Sequence, residues 1–507
     1  MKIYKSNIIP MVEEGKYAKY LITDNEKIIY VGNEILEKYQ GSEIIDLSNK
    51  TIVPGFFDTH THFSSYGYFI DSLSIFTKAK SIKEILNNLK EYINKNNKKF
   101  YILFGISPFS VKENRLPTKQ ELDEVSNKKP IFIVQYDGHA ALGNSVLIKK
   151  AKINKNELGF DYEKGHYFQD SFYKVVKKVT NKAPITDAIK GIKNGAKYAA
   201  KQGITSIVAL QGEGFPLDMD LRLVKFYSKR LKIQIIPFFQ TKSIKKIKKS
   251  KLKTWGGCFE CALDGSFGSL DAAMKEPYNI ETDIEANKGK IFYDSKEIIP
   301  MLNYANKNDL QVAIHAIGDK AIEEVVDVFT QNIDKENKNA HRIEHALILS
   351  KEEIKRIADY NIHIATQPSF LGDPLEPVHL LENVLGKERF KRFMPLRDMF
   401  DAGIVVSGGS DAPVTMPNPI FGMYLAANHP VKEQSITAYE ALKMFTINGA
   451  YGVFEDHIKG SLEVGKLADF CILNENPLSI EREKILTIKV KSTYKNGKCI
   501  YEGDDDD

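Results

Sequence analysis

Eight short apolar segments recur between residues 51 and 411, separated by stretches with helical patterning. That alternation constrains the fold more than any other feature of the chain. The segments are TIVPGFFD (51–58), ITSIVAL (204–210), KIQIIPFF (232–239), GGCFECAL (256–263), LQVAIHA (310–316), AHRIEHA (340–346), NIHIATQ (361–367) and GIVVSGGSD (403–411). Short apolar runs of this kind suit strands buried on both faces, and strands alternating with helices suit a parallel sheet. One intervening stretch, TDAIKGIKNGAKYAAKQG, reads as a helix from an N-cap at Thr186 to a terminating Gly203. Eight β/α units predict an α/β fold of the TIM type, a (β/α)8 barrel with its chemistry at the C-terminal ends of the strands.

The count leaves residues from about 65 to 185 unused, far more than an ordinary βα loop. FYILFGIS (100–107) and IFIVQYDGHAA (131–141) read as strands within it, so it is an inserted subdomain between strands one and two. Both ends of the chain are strand-rich. KYLITDNEKIIYVGN has a hairpin pattern around Asp24-Asn25, and KVKSTYKNGKCIYEG has Asn496-Gly497 as its turn. Because chain termini tend to lie close together, residues 1–52 and 457–507 are expected to form one composite β-sandwich domain beside a barrel of residues 53–456. No internal repeat is evident.

The chain's 507 residues exceed one small core, and 43% apolar residues is ordinary for a soluble enzyme. A net charge of +5 gives no reason to expect nucleic acid. The lysine cluster KSIKKIKKSKLK (242–253) reads as a solvated face, and the final EGDDDD as a disordered tail. The start lacks a secretory apolar segment, and no run of about 18 apolar residues occurs, so a cytoplasmic protein without a membrane partner is expected. Four cysteines cannot make a disulfide framework and should be thiols or ligands.

His60 and His62 in FDTHTH stand two apart at the end of the first strand. Period-two geometry puts both side chains on one face, where they can chelate one cation. His315 ends strand five, His345 strand six and Asp411 strand eight. Four histidines and an aspartate at the C-terminal ends of barrel strands predict a divalent metal site, with zinc first among the ions that suit imidazole and carboxylate.

VPGFFDTHTH, DGHAALGNS, ALDGSFGS, HAIGDKAI, HRIEHA, ATQPSF, GSDAPV and KGSLEVGKLADFCIL follow one another along the chain. As an ordered set they resemble the amidohydrolase superfamily, in the branch that includes N-substituted formamide deformylases (amidohydrolase family 3). The resemblance implies a metal-dependent (β/α)8 barrel beside a small β-sandwich, and hydrolysis, usually of a carbon–nitrogen bond. By position, His60, His62, His315 and His345 resemble the metal ligands. Asp411 resembles the aspartate that binds metal and takes a proton from the activated water. His139 resembles the DGH histidine near the substrate; its other reading is a hydrogen-bonded structural histidine of the insertion. The branch usually has a lysine, which can be carboxylated to bridge two metals, four residues before the DGS aspartate, here Asp264. Glu260 occupies that position and is expected to point inward and bridge two metals. Its shorter stem leaves a mononuclear site open, and pairing with an Arg or Lys is the other outcome. Leu270 and Asp271 stand where the branch usually has Arg-Thr, which leaves substrate orientation undetermined.

Cys258 and Cys261 flank Glu260. On an extended strand 258 and 260 share a face while 261 takes the other, so the two sulfurs are not expected to chelate one ion or form a disulfide. Cys261 reads as packing between barrel and helices. Cys258 reads as interior packing below the metal, with ligation as the other reading. The expected activity is hydrolysis of a non-peptide, amide-type carbon–nitrogen bond of a small molecule, with Asp411 and His139 as catalytic residues and one or two divalent ions. A homodimer stays open. The alternatives are a non-catalytic small-molecule-binding barrel, a hydrolase of a cyclic amide or ester, and a thiol oxidoreductase using CFEC, which the strand parity disfavours.

Overall fold

A computed structural model describes every residue except 40, 181–183, 214, 281–286 and 504–507; the acidic end of the tail lies outside the described residues. Eight parallel strands form one sheet in chain order: Phe56–Thr61, Ile204–Gln211, Gln234–Phe239, Thr254–Ala262, Gln311–Ala316, Arg342–His345, His363–Thr366 and Val406–Gly408. A parallel bridge from Thr61 to Ala412 brings the first and last strands together. The second, fifth and sixth strands are buried along their whole length, as continuous apolar runs require when helices cover the outside.

The expected first strand divides in two. Ile44–Pro54 belongs to a different sheet, and the barrel strand starts at Phe56. Gly55 sits at the break, where an added Cβ would come within 2.4 Å of the Thr205 side chain. The helix expected from an N-cap at Thr186 runs over Ile185–Lys201 with Pro184 at its N-cap, two residues earlier than its sequence suggested, and Gly203 follows at φ +78°. Proline is well placed there because its fixed φ suits a helix start.

A seven-stranded sheet joins the two ends of the chain. Phe470–Leu473 pairs antiparallel with Ile44–Pro54, which in turn pairs parallel with Lys2–Ile8. Its hairpins turn at Asn25 (φ +49°) and at Asn496-Gly497 (φ +50° and +70°), the positive values that two-residue hairpin turns demand. The inserted stretch carries a sheet of its own, of five strands, with Tyr101–Ile106 and Ile131–Gln135 parallel at one edge. The lysine cluster lies on and beside the short helix Ile244–Ser250, whose Ile247 is buried while Lys245, Lys246, Lys248 and Lys249 face out. Among the described residues no helix is long and apolar enough to cross a membrane.

Candidate metal centre

The C-terminal ends of strands one, four, five, six and eight converge on one buried cluster. His60, His345, Asp411 and Cys258 bring donor atoms to it, joined by His62 beyond strand one and His315 on strand five. Three overlapping triads, His60–His62–Cys258, Cys258–His315–His345 and His60–His345–Asp411, each offer ligand atoms within 4.8 Å of one another.

The imidazoles are oriented from behind. The Nδ1–H of His60 donates to Glu344 Oε2 at 2.6 Å, and Arg342 Nε holds the same carboxylate through Oε1 at 2.6 Å. The Nδ1–H of His345 donates to Gln367 Oε1 at 2.6 Å. In both rings Nε2 faces the cluster and would have to be unprotonated to bind a cation. His315 is turned the other way, its Nε2–H donating to the Gly265 carbonyl at 3.2 Å and its Nδ1 facing in. His62 Nδ1 stands 3.6 Å from Glu213, a carboxylate that also accepts from Ser65 Oγ. Acceptors behind metal-binding histidines fix the tautomer and raise ligand basicity. Glu344, Gln367 and Glu213 were not singled out from the sequence. Glu344 stood inside HRIEH, but its partner ring lies 284 residues away, so no local spacing points to the pair.

Strand four supplies the main departure from expectation. Gly256 and Gly257 take φ +98° and +112°, and Phe259 takes +51°. A Cβ on Gly256 would meet the Ala313 carbonyl oxygen at 2.0 Å. The pairing with strand five passes from Gly257↔Ile314 directly to Ala262↔His315, so residues 258–261 bulge out of the ladder. The alternation that would have put 258 and 260 on one face therefore fails. Glu260, expected to bridge metals, turns outward and is exposed; its Oε2 accepts from Thr241 Oγ1 at 2.9 Å and from the Lys242 amide at 3.2 Å. Cys258 keeps the interior position expected of it and stands among the histidines, as its ligand reading requires. Its Sγ lies 3.5 Å from His60 Nε2, 3.4 Å from His315 Nδ1 and 3.6 Å from His345 Nε2, and its amide donates to Gln240 Oε1 at 2.8 Å. Cys261 packs in the apolar layer with Trp255 and Leu263.

Asp411 Oδ1 approaches His60 Nε2 at 3.2 Å and His62 Nε2 at 3.3 Å. It is held by its own amide, which donates to the His60 carbonyl at 2.8 Å, and by the neighbouring Ser410, whose hydroxyl donates to buried Asp58 at 2.6 Å. Asp411 and His345 both adopt positive φ, +57° and +69°, a conformation that non-glycine residues keep mainly where surrounding structure enforces it, often at functional sites.

The donor set fits a cation. Asp411 Oδ1 is buried without a hydrogen-bond donor, and such an oxygen is costly unless a charge or donor meets it. Burial pushes the Cys258 thiol up, but His60 and His315 outweigh it and hold the thiol well below its usual range. Burial likewise raises the Asp411 carboxyl, yet His60 and His62 bring it well below the carboxylate range. Thiolate, imidazole and carboxylate together match borderline divalent ions.

His139 is not part of this cluster. It lines the same cavity, its Nδ1 3.8 Å from Asp271 Oδ2. Its amide donates to Asp137 Oδ1 at 3.2 Å. Asp264 has a structural task, accepting the Ile317 and Gly318 amides at 3.0 and 2.8 Å ahead of the helix Asp319–Asn332.

A barrel with convergent histidines at its C-terminal mouth defines a class, and comparison with known proteins agrees. Residues 43–501 match the model of the amidohydrolase family, and the chain belongs to that family. It is 29% identical to protein LONG AFTER FAR-RED 3 of Arabidopsis thaliana over 96% of this chain and 88% of that protein. It is 24% identical to N-substituted formamide deformylase of Arthrobacter pascens, over 99% and 98% of the two chains. In fold it resembles the crystal structure of an uncharacterized metal-dependent hydrolase from Pyrococcus horikoshii OT3, with a TM-score of 0.77, 24% identity, and 95% and 99% of the chains covered. The matched model gives the family, and the likeness to the Pyrococcus structure gives the same fold.

Proposed function

We propose that the chain hydrolyses a non-peptide, amide-type carbon–nitrogen bond of a small molecule, using zinc as its divalent ion. The observation that carries this reading is the placement of Cys258 Sγ between two histidine pairs, His60 with His62 and His315 with His345. Cys258, His60, His62, His315, His345 and Asp411 would hold one or two divalent ions, and a thiolate at Cys258 could serve both where two bind. A divalent ion there supplies Lewis acidity and can lower the pKa of a water from about 15.7 toward about 7.

The chain's own groups then divide the remaining work. Asp411, ionised beside two imidazoles, accepts the proton of the attacking water and returns it to the leaving nitrogen, so that the amine departs uncharged. His139, across the cavity, is placed to donate a hydrogen bond to the substrate carbonyl as its oxygen gains negative charge. Glu344, Gln367 and Glu213 keep the imidazoles in register while this happens. Four free thiols, three of them buried, suit a reducing cytoplasm.

The reading is tested with zinc-reconstituted protein and a panel of N-formyl, N-acyl, cyclic amide and ester substrates. Turnover of at least one open-chain amide is expected, lost on removing zinc with a chelator and regained on adding it back. Turnover confined to esters or cyclic amides would move the assignment to those classes. No turnover anywhere on the panel, in protein that holds its metal, would leave the binding-barrel reading in its place.

A further inference from the structure

The inserted sheet faces the metal centre across a cavity of about 200 Å³. Strand parity explains what it presents. Along Tyr101–Ile106 and Ile131–Gln135, residues Tyr101, Leu103, Ile131 and Ile133 pack to one side, into a core shared with the helix Ile82–Asn96. Alternate residues Phe104, Phe132 and Val134 take the other side and line the cavity. Opposite them stand Phe370 and Phe393 of the barrel loops, and Phe370 stacks on His345 with ring centroids 6.3 Å apart. The apolar wall thus runs up to the metal ligands. A sheet with two apolar faces, one of them left on a cavity, is built to receive something apolar.

The polar part of the lining has one sign. Apart from histidines and the phenol of Tyr68, the titratable side chains on the cavity are Asp137, Glu213, Glu376, Asp411 and the thiol of Cys258, and no lysine or arginine lines it among the described residues. Asp137 accepts from the Ser266 and Ser269 hydroxyls, and Glu376 accepts from Tyr136 at 3.1 Å. Away from the metal ligands, a carboxylate on the substituent would therefore enter an apolar region flanked by acidic groups, with no lysine or arginine to meet it. Asp271, which stands where the related branch has threonine beside an arginine, is part-buried with its Oδ2 3.8 Å from His139 Nδ1.

Resting on the hydrolase reading above, we propose that the inserted subdomain is the specificity element. It selects amides whose substituent is bulky, apolar and free of negative charge, such as aryl or alkyl groups, and it excludes anionic ones. A single water needs roughly 10–15 Å³, so a cavity of about 200 Å³ has room for roughly thirteen to twenty groups of that size. Until it is filled, each added methylene should tighten binding roughly fourfold.

The test uses the zinc-loaded protein and the uncharged fluorophore N-phenyl-1-naphthylamine. Its fluorescence should rise on binding and be displaced by N-ethyl-, N-butyl- and N-hexylformamide with affinity climbing along the series, and not by N-formylglycine. Val134→Asp should weaken fluorophore binding tenfold or more with zinc content unchanged. If Val134→Asp does not fold, Val134→Thr, which keeps the shape and adds a hydroxyl, should still weaken it two- to threefold. Equal displacement by N-formylglycine, a flat alkyl series, no fluorophore binding by the wild type, or unchanged binding in the folded variants would each overturn the proposal. The two readings separate cleanly. Length-dependent displacement without hydrolysis of any amide sinks the hydrolase and leaves the pocket. Hydrolysis indifferent to the substituent does the reverse.

Discussion

Cys258→Ser should strip the metal centre, while Glu260→Gln should leave it intact. The two residues are neighbours in sequence and opposite in placement. Cys258 Sγ stands within 3.6 Å of three imidazole nitrogens. Glu260 is exposed and spends its carboxylate on Thr241 and Lys242. Serine keeps the volume near that of cysteine but has no anion to offer at neutral pH. Two divalent ions held close together repel one another, and removing the negative charge between them should expel at least one. Elemental analysis of purified variants is expected to give about two divalent ions per chain for wild type and Glu260→Gln, and one or fewer for Cys258→Ser. Cys261→Ser, altering a sulfur in the outer apolar layer, is the control and should match wild type. Glu260→Gln losing metal while Cys258→Ser keeps it would reverse the assignment.

Asp411→Asn should lower kcat by roughly 10²-fold or more, the range expected when a general base is lost. Asparagine fills the same space and can keep the amide contact to the His60 carbonyl, so the barrel should still form. It cannot take a proton from water or pass one to the leaving nitrogen. Circular dichroism and thermal melts should show a folded protein. Turnover measured on the best substrate of the panel separates the loss of chemistry from loss of fold. A folded Asp411→Asn protein with near-normal kcat would remove Asp411 from the proton-transfer role.

The barrel was legible because its signals are local. Each of the eight strands is a short apolar run, and seven of them stand close to where the periodicity puts them. The exception is the first, where an apolar run continues unbroken through two sheets and only the tight approach at Gly55 separates them. The histidines were legible for the same reason, since a residue at a strand end reaches the mouth of a barrel wherever its neighbours lie. Glu260 was not. Parity holds only on an extended strand, and departures in φ at Gly256, Gly257 and Phe259 turn Glu260 outward while Cys258 stays inside. The adjacent glycines were the available sign, but glycine permits an irregular backbone without requiring it. The groups behind the imidazoles were hidden differently. Glu344 meets His60, and Gln367 meets His345, only after the barrel brings their strands together.

The central expectation is that the sulfur of Cys258 ligates the metal. X-ray absorption at the zinc edge of the reconstituted protein measures this without substrate or turnover. A zinc–sulfur shell near 2.3 Å, beside nitrogen and oxygen scatterers, is predicted for wild type, with a zinc–zinc contribution when two equivalents are bound. The sulfur shell should vanish in Cys258→Ser and persist in Cys261→Ser. A wild-type spectrum with nitrogen and oxygen scatterers alone would contradict the account.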